Sequence, residues 1–449
     1  MSLRIVIIGA GEVGFNLAKT LSNDNCDLTI IDIDPKKCQR ITNSLDAHVI
    51  NGDGASQRIL QDLDLDSVDY LLALSRIDEV NLVASKSAFE MGVNKIICRL
   101  RNTEYSHRNA IITPSQFGID HVVYPEMSAQ KEIEKLIRKP SAIDIEEFHG
   151  GKITMVGMVM DSSSPLIGRN VASVESSNPY VHHKLVLLIR DGEGMIPLND
   201  TKFEIDDLAY FMGKTDDIPL IQRMAGKSAL VVKNVMILGA GKIGRLLAKS
   251  LETDYDVRII ENDHEKAKKI GENLSDTLIL DADGLDIEFL TSENIQDVDC
   301  LIAATENEQT NILARLLVRH YGVKQVILHV TTTNYIRAVR RIGVDAVISK
   351  NISAVHDIIN YIRSDQEDLP VSKIEDVDYD ALEIVVSSKS KFILKNYSFN
   401  TVPDYIRIGA IIRDSKVIIP TQHTEIIIND KLILFIKDNL ISKAEDLFL

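Results

Sequence analysis

Cysteine is scarce in this sequence of 449 residues. The four cysteines, Cys26, Cys38, Cys98 and Cys300, are far apart, and no two of them form a C-x-x-C spacing. Scattered thiols of this kind argue against a disulfide framework and against a metal site. We therefore expect no metal ligands, and a reducing cytoplasm is the natural compartment.

Positive charge is also in short supply. The chain has 50 Lys and Arg against 66 Asp and Glu, which gives a formal net charge of −16. Unaided binding to nucleic acid or to anionic lipid needs clustered basic residues, so we expect no nucleic-acid partner. One candidate for a local basic patch is RAVRRIG, with Arg337, Arg340 and Arg341, although a short charged run is more often a solvated helix face.

Long hydrophobic runs are absent as well. No apolar run in the sequence approaches the ~18 residues that a membrane-spanning helix requires. The N-terminal MSLRIVIIGAG is not typical of a signal peptide, because its apolar residues form a buried-strand pattern that leads directly into a glycine turn. We expect a cytoplasmic chain that does not insert into the membrane, which leaves a membrane protein open as its partner.

What the sequence does contain is an internal repeat. The motif GAGEVG, which starts at Gly9, recurs as GAGKIG, which starts at Gly239, 230 residues later. The other landmarks that keep this offset are Asp53 and Asp283, Asp69 and Asp299, Asn81 and Asn311, and Tyr105 and Tyr335. So constant an offset predicts that the chain consists of two copies of one structural plan.

Each copy alternates short runs of Val, Ile and Leu with amphipathic helical segments, a pattern typical of parallel sheets covered by helices. We predict an α/β fold in which a Rossmann-like, doubly wound sheet of six strands is followed by a small β-rich α+β domain, twice over. The predicted domains are residues 1–140, 141–226, 227–365 and 366–449. A hairpin closed by Asp-Gly or Asp-Ser is expected in each small domain, at IRDGEGMIP and IRDSKVIIP.

The helix that follows each predicted sheet carries an apolar stripe. The two segments are PEMSAQKEIEKLIRK and KNISAVHDIINYIRS. Such stripes have to be buried. The sequence leaves open whether each helix packs on its own domain or on a neighbouring one.

The glycine motif of the first half is typical of a nucleotide-binding turn. Gly9 permits the tight turn out of the first strand, Gly11 lets the backbone approach a pyrophosphate, and Gly14 lets the helix pack closely on the strand. The N-terminus of the following helix offers free N–H groups to phosphates. Asp32, at the end of the next strand, suits a ribose diol and would repel a 2′-phosphate, which favours NAD or an adenosine nucleotide over NADP. The alternative is a Rossmann-like domain that binds nothing.

The second half repeats the motif with differences. Glu261 stands where the first half has its ribose-binding acid, longer by one methylene group. Ala282 replaces Gly52, which is expected to crowd the backbone there, and Asp281 adds a negative charge. The two sites therefore need not prefer the same nucleotide.

Nearly the whole chain resembles the TrkA family, the cytosolic regulatory subunits of Trk-type potassium uptake systems, and each half resembles an RCK unit (regulator of potassium conductance). The motifs that carry the resemblance are GAGEVG, IDID, NGDG and ALSRIDEVN, then GAGKIG, IEND, DADG and AATENEQTN. The first site that the resemblance implies comprises Gly9, Ala10, Gly11, Glu12, Val13, Gly14, Asp32, Asp53, Leu74, Ser75 and Arg99. The second comprises Gly239, Ala240, Gly241, Lys242, Ile243, Gly244, Glu261, Asp283, Ala304 and Thr305. Arg99 has no arginine counterpart, because ILHV places His329 there.

The resemblance also implies a ligand and an assembly. The ligand would be NAD or NADH, with ATP or ADP as alternatives. Four chains would form a homotetrameric ring of eight RCK units beneath a Trk-type potassium-transporting membrane subunit, at the cytoplasmic face of the cell membrane. Nucleotide binding would change the shape of the ring and gate potassium entry, without catalysis.

Two other functions stay open from the residues alone. An NAD-dependent oxidoreductase would need an acid or base beside the coenzyme. The Tyr-x-x-x-Lys spacings at Tyr180 and Lys184 and at Tyr210 and Lys214 fall in the first β-rich domain instead of on a helix, so chance spacing explains them better. A scaffold with two vestigial nucleotide sites is the second alternative.

Overall fold

The structure of the chain is a computed structural model. It describes residues 3–22, 26–107, 109–138, 142, 144–177, 180–227, 231–333, 335–336, 339, 346–365, 371–373 and 378–449. The candidate basic patch of Arg337, Arg340 and Arg341 lies outside these residues.

The first half begins with six parallel strands in the order β3-β2-β1-β4-β5-β6, as predicted. Its central strands are almost wholly buried, which suits their Val, Ile and Leu content. The elements are β1 (Arg4–Ile8), α1 (Glu12–Leu21), β2 (Asp27–Asp32), α2 (Pro35–Ser44), β3 (His48–Asn51), α3 (Gln57–Gln61), β4 (Tyr70–Ala73), α4 (Asp78–Glu90), β5 (Lys95–Arg99), β6 (His121–Val123) and α5 (Pro125–Arg138).

A small antiparallel sheet follows, in the order β10-β9-β11-β8-β7. Its elements are β7 (Asp144–Phe148), β8 (Ile153–Val159), α6 (Val171–Glu175), β9 (His183–Arg190), β10 (Glu193–Met195), β11 (Leu208–Lys214) and α7 (Ile218–Met224). The predicted hairpin is confirmed, since Asp191 and Gly192 turn between β9 and β10 with φ values of 55° and 85°.

The second half repeats both parts. Its parallel sheet has the order β14-β13-β12-β15-β16-β17 and is built from β12 (Asn234–Leu238), α8 (Lys242–Leu251), β13 (Asp256–Glu261), α9 (His264–Gly271), β14 (Leu278–Asp281), α10 (Ile287–Ser292), β15 (Cys300–Ala303), α11 (Glu308–Val318), β16 (Gln325–His329), β17 (Ala346–Ile348) and α12 (Lys350–Asp365). Its small sheet has the order β18-β19-β22-β20-β21 and is built from β18 (Val371–Lys373), β19 (Tyr379–Val385), α13 (Lys391–Leu394), β20 (Ile406–Arg413), β21 (Lys416–Ile418), β22 (Lys431–Lys437) and α14 (Ile441–Phe448). The predicted fold class is therefore confirmed in both halves.

The helices α5 and α12 are exchanged between the halves. Apolar residues of α5, among them Ile133 and Leu136, share one hydrophobic cluster with β12 and α8 of the second sheet. Those of α12, among them Val355 and Ile358, share a cluster with β1 and α1 of the first sheet. The two apolar stripes thus pack on a neighbouring domain, and the two parallel sheets form one joint body.

Polar contacts support the docking of α12 on the first sheet. Asp357 accepts a hydrogen bond from Ser128 Oγ at 2.8 Å and lies 3.2 Å from His121 Nε2. The His121 ring stacks on Tyr361, with the ring centroids 4.4 Å apart. Hydrogen bonding and ring stacking at the edge of the sheet fix the position of the exchanged helix.

The two small sheets also pack against each other. Side chains of β8, β9 and β11 share a hydrophobic cluster with side chains of β20 and β22. Arg407 crosses this interface, donating from Nε to the Leu185 carbonyl at 3.0 Å and pairing with Glu175. A buried guanidinium bonded in this way holds the two small domains in register.

Candidate nucleotide sites

The first glycine turn, Gly9 to Gly14, lies at the carboxyl end of β1. Gly9 has φ +105° and donates its N–H to the Ile31 carbonyl at 2.8 Å. A Cβ built on Gly9 would lie 2.9 Å from Ser75 N, so only glycine lets the turn approach the end of β4 this closely. The structure thereby places Leu74 and Ser75 beside the turn, next to the switch point of the sheet.

The other two glycines of the turn have different surroundings. A Cβ on Gly14 would lie 1.9 Å from the Gly9 carbonyl oxygen, which fits the predicted close packing of helix on strand. A Cβ on Gly11 would meet nothing within 4 Å. Gly11 is the N-cap of α1 and offers no side-chain cap, so no side chain of the cap residue satisfies the first N–H groups of the helix.

Asp32 lies at the end of β2, with only 7% of its surface exposed. It accepts hydrogen bonds from the N–H of Ala10 at 2.6 Å and of Asp34 at 2.8 Å. The Lys37 ammonium lies 3.6 Å from its Oδ2. A carboxylate has about four acceptor positions, so Asp32 shapes the turn and keeps acceptor capacity for a ribose hydroxyl.

Asn81 ties the ends of β4 and β5 together. It is fully buried; its Oδ1 accepts from Ser75 N–H at 2.9 Å, and its Nδ2 donates to the carbonyls of Ser75 and Arg99 at 3.0 and 2.8 Å. In the sequence this asparagine is only a landmark of the repeat. Its position six residues after Ser75, repeated by Asn311 six residues after Thr305, is the signal that could have pointed to a structural role in the site.

The second glycine turn has the same geometry. Gly239 has φ +94°, and a Cβ on it would lie 2.7 Å from Thr305 Cα. A Cβ on Gly244 would lie 2.0 Å from the Gly239 carbonyl oxygen, whereas one on Gly241 would make only an ordinary 3.7 Å contact with Ala304 O. Asn311 repeats the bonds of its counterpart, joining Thr305 to the His329 carbonyl at the end of β16.

Glu261 occupies the place of Asp32 in this half. It is 5% exposed and accepts from Ala240 N–H at 2.9 Å. The Lys266 ammonium lies 3.0 Å from its Oε2. A lysine therefore accompanies the acid in both halves, a feature that the motif does not require and the sequence did not point to.

At the end of β14, Ala282 stands where the first half has Gly52. Its methyl group packs beside the hydrophobic cluster under α10, to which Phe289 also contributes. Asp281 is paired with His264 Nδ1, and this hydrogen bond raises the pKa of the exposed imidazole above its usual value. The extra carboxylate of this site thus has an imidazole as its hydrogen-bond partner.

Asp53 and Asp283 are exposed and cap the loops after β3 and β14. Asp53 Oδ1 accepts from Ala55 N–H at 3.0 Å, and Asp283 Oδ1 accepts from Leu285 N–H at 2.9 Å. The glycine after each aspartate packs tightly, since a Cβ on Gly54 would lie 2.1 Å from Ile8 Cγ2. These loops therefore close against the end of the central strand.

The largest difference between the sites lies at the ends of β5 and β16. Arg99 is half-buried, its Nε has no hydrogen-bond partner, and burial lowers the pKa of its guanidinium from the ordinary value, although nearby Glu126 opposes that shift. His329 is 5% exposed with an unpartnered Nε2. Burial lowers the pKa of His329 to about 4, and the Lys350 ammonium acts in the same direction. At neutral pH the first site has a cation here and the second a neutral imidazole.

Glu126, at the start of α5, connects this region to the second half. Its Oε1 accepts from the Lys350 ammonium at 3.1 Å. Burial alone would raise the pKa of Glu126, but Lys350 and, more weakly, Lys242 bring it below its usual value. The carboxylate is 6% exposed and leaves Oε2 unpartnered.

Glu12 and Lys242 hold the same position in their turns, and both reach the opposite half. Thr333 Oγ1, beyond the end of β16, donates to Glu12 Oε2 at 3.3 Å. Lys242 Nζ donates to the carbonyl of Arg101, beyond the end of β5. Arg40 also holds Glu12, at 2.9 Å. Both glycine turns therefore face the interface between the two parallel sheets.

The remaining sequence candidates do not approach the turns. Tyr210 and Lys214 lie on β11 of the small sheet, Lys184 lies on β9, and Tyr180 precedes that strand. Among the residues that the structure describes, no group of three or more His, Cys, Asp or Glu side chains is placed to hold a metal ion. No helix within that part of the chain is long and apolar enough to cross a membrane.

Comparison with known proteins fits this geometry. The TrkA-N domain matches the sequence twice, over residues 5–125 and 235–350, which together exceed half of the chain. The Trk system potassium uptake protein TrkA homolog of Archaeoglobus fulgidus is 31% identical over 449 residues, covering 99% of this chain and 100% of the relative. The chain belongs to the TrkA family.

Other TrkA proteins match over the same extent. Trk system potassium uptake protein TrkA of Vibrio alginolyticus is 28% identical, over 99% of this chain and 98% of its own length. Among solved structures, the GsuK RCK domain has a TM-score of 0.58 and 14% identity, covering 99% of this chain and 94% of that chain. The GsuK channel bound to NAD has the same TM-score and 15% identity, covering 99% and 78%. These two structures show the shared fold.

Proposed function

We propose that this chain is a nucleotide-sensing regulatory subunit that gates potassium uptake through a Trk-type membrane subunit. The observation that carries the proposal is the room at Gly11 and Gly241, where a Cβ would meet nothing or make one ordinary contact. Each glycine lies at an uncapped helix N-terminus, next to an alanine whose N–H bonds the acid at the end of the next strand. Relatives over the full length are named for Trk potassium uptake. A chain of this kind would act at the cytoplasmic face of the membrane through its partner.

The proposed ligand is NAD or NADH, with ATP or ADP as alternatives. The buried acids Asp32 and Glu261 favour an unmodified ribose, and a solved structure of similar fold is bound to NAD. We propose that the first-site contacts come from Gly9, Ala10, Gly11, Glu12, Val13, Gly14, Asp32, Asp53, Leu74, Ser75 and Arg99. We propose that the second-site contacts come from Gly239, Ala240, Gly241, Lys242, Ile243, Gly244, Glu261, Asp283, Ala304 and Thr305.

The domain limits belong to the same proposal: residues 1–140 and 227–365 form the nucleotide-binding domains, and residues 141–226 and 366–449 form the small ones. The exchanged helices α5 and α12 link these units mechanically. A ligand at the carboxyl edge of either parallel sheet would bias the arrangement of both sheets, provided that its affinity differs between two arrangements. Regulation needs that difference and no chemical step.

We also propose that four chains form a ring. Both α4 and α11 present apolar side chains to solvent at the same position of the repeat: Val83 is 49% exposed and Leu313 is 48% exposed. Leu316, three residues after Leu313 and 45% exposed, extends the face of α11, and Phe89 on α4 is 50% exposed. Equivalent apolar faces on two similar units suit repeated contacts between chains. Light scattering at micromolar concentration should give the mass of a tetramer, and a monomer would contradict the ring.

The central test is potassium flux through a reconstituted Trk-type membrane subunit with and without this chain. NAD, NADH, ATP and ADP are added singly, and the nucleotide is recovered and assayed afterwards. We expect flux to depend on at least one nucleotide, the nucleotide to be unconsumed, and the ring to change dimensions in solution scattering. Flux that ignores all four would defeat the proposal, and stoichiometric coenzyme oxidation would favour an oxidoreductase.

Asp32→Asn provides the site-specific control for this test. The substitution keeps the shape of the side chain and removes the charge-assisted acceptor for the ribose. We expect weaker nucleotide binding at the first site and a matching loss of the flux response. Binding that strengthens would show that Asp32 does not hold the ribose.

A further inference from the structure

The loop that Lys242 contacts is anchored beside the first nucleotide site. Asp78 accepts hydrogen bonds from the N–H of Arg101, at 3.0 Å to both carboxylate oxygens, and from the N–H of Asn102 at 2.8 Å. Asp78 is 8% exposed and opens α4, three residues after Ser75. The loop after β5 is thus tied to the strand end that borders the first site, and Arg99 immediately precedes it.

The loop that Glu12 contacts is anchored in the same way beside the second site. Glu308 Oε1 accepts from the N–H of Thr331 at 2.6 Å and of Thr332 at 2.7 Å. Glu308 opens α11, three residues after Thr305. Each turn therefore touches a loop that is part of the other site's frame.

The two crossed contacts have opposite charge. Lys242 is the first residue of α8, so a phosphate at the second turn would attract its ammonium away from the Arg101 carbonyl. A phosphate at the first turn would repel Glu12, which Arg40 and Thr333 hold away from the turn's own backbone by their hydrogen bonds to its carboxylate. We therefore expect only the second turn to lose its crossed contact when a nucleotide binds.

We propose that the two nucleotide sites of one chain are negatively coupled, with Lys242 as the group that transmits the coupling. The proposal rests on the proposed nucleotide sites. Binding at the second turn withdraws Lys242 from the Arg101 carbonyl, which frees the loop beside Arg99 and weakens the first site. Since coupling between binding sites is reciprocal, a nucleotide at the first site weakens the second by the same factor.

The test is calorimetric titration of the full chain with ADP, and separately with NAD. Gly11→Ala and Gly241→Ala each add one methyl group where the structure has open space or ordinary contact, so each should keep the fold and lose one site. The two variants give the two single-site association constants. For wild type, we expect the overall two-site constant to fall about fivefold or more below their product.

Lys242→Met is introduced into wild type, Gly11→Ala and Gly241→Ala. This series distinguishes coupling through Lys242 from simple repulsion between two bound anions. We define the deficit as the factor by which the two-site constant falls below the product of the single-site constants. In Lys242→Met we expect this deficit to shrink to less than about twofold, because the contact with the Arg101 carbonyl is then absent in every state. The matched control is Lys249→Met, at the other end of α8, whose ammonium bonds Glu252 at 2.8 Å. This control should keep the full deficit.

Each remaining outcome decides a different point. A wild-type constant equal to the product overturns the coupling while leaving the nucleotide sites in place. A deficit that survives in Lys242→Met overturns the role of that lysine. If the glycine variants bind as wild type does, or if neither probe binds wild type, the nucleotide sites themselves fail, and the coupling fails with them.

Discussion

The two halves of this chain share the steric frame of a glycine turn and differ in the charges placed around it. Gly14 and Gly244 would clash with the backbone in the same way if they carried a Cβ, at 1.9 and 2.0 Å. In contrast, the repeat position that holds Arg99 in the first half holds His329 in the second. The position of Glu12 is likewise taken by Lys242. Backbone geometry leaves one solution at the turn, whereas the charge beside a ligand depends on single side chains. A duplicated fold can therefore carry two sites of different chemistry.

The shared frame is the target of the largest expected effect. Gly14→Ala and Gly244→Ala should each lower the free energy of unfolding by about 3 kcal/mol, because the new Cβ presses on the backbone carbonyl of the first glycine of the turn. Urea denaturation measures this loss. Gly11→Ala is the control and should change stability by less than about 0.5 kcal/mol while abolishing first-site binding. Equal stability of the Gly14 and Gly11 variants would show that the close packing does not matter.

The pH dependence of stability should show that His329, which takes the place of Arg99 in the second half, is buried as a neutral imidazole. The pKa of His329 is about 4 in the folded chain and about 6.5 in an unfolded chain. Between these pH values the unfolded state binds a proton at His329 that the folded state does not bind. The contribution of His329 to the free energy of unfolding is therefore complete above pH 6.5 and is lost as pH falls toward 4. The free energy of unfolding of wild type, relative to that of His329→Gln, should fall by up to about 3 kcal/mol between pH 6.5 and pH 4. Thermal melts at successive pH values measure it.

His264 is the control of opposite sign for this pH series. Its pKa is raised by Asp281, so its contribution is present below about pH 6.5 and is lost as pH rises through the folded value. The difference between wild type and His264→Gln should therefore shrink on going to higher pH. If both histidine variants drifted in the same direction, the assignment of a buried neutral His329 would be wrong.

The contact between Glu126 and Lys350 tests how firmly the halves hold each other. Lys350→Met leaves a carboxylate that is 6% exposed without its cation, and we expect a loss of about 2 kcal/mol of stability at pH 7. The matched control is Lys391→Met, which removes a solvent-exposed pair with Asp446 and should cost no more than about 0.5 kcal/mol. Equal losses would place Glu126 in a solvated environment.

The smallest expected effect concerns the loop after the third strand of each sheet. Ala282→Gly should cost about 1 kcal/mol through lost packing and added freedom of the unfolded chain, with second-site affinity unchanged. In the other half, Gly52→Ala places a Cβ 2.4 Å from Ile59 Cδ1, the far end of a flexible side chain, so its effect should also be small. Tighter nucleotide binding by Ala282→Gly would show that this methyl group crowds the site.

Much of the site was legible in the sequence because steric rules act locally. The turn from Gly9 to Gly14 and the acid Asp32 come together as the motif spacing indicated, and Leu74 and Ser75 lie beside them as the family resemblance implied. The role of Asn81 was not seen, because the residue lies far along the chain from one of its partners, the Arg99 carbonyl. The lysines beside Asp32 and Glu261 were missed for a simpler reason, since no rule of the motif requires them.

The sequence by itself determined the duplication, the two doubly wound sheets, the hairpins and the glycine turns, since each depends on residues that are neighbours along the chain or recur at one spacing. It also determined that α5 and α12 had to be buried. Only the tertiary structure decided that each of these helices packs on the opposite half, and that Lys242 and Glu12 reach across the interface. An apolar stripe specifies that water is excluded from it but not which surface excludes the water. Contacts over more than a hundred residues depend on how whole domains dock.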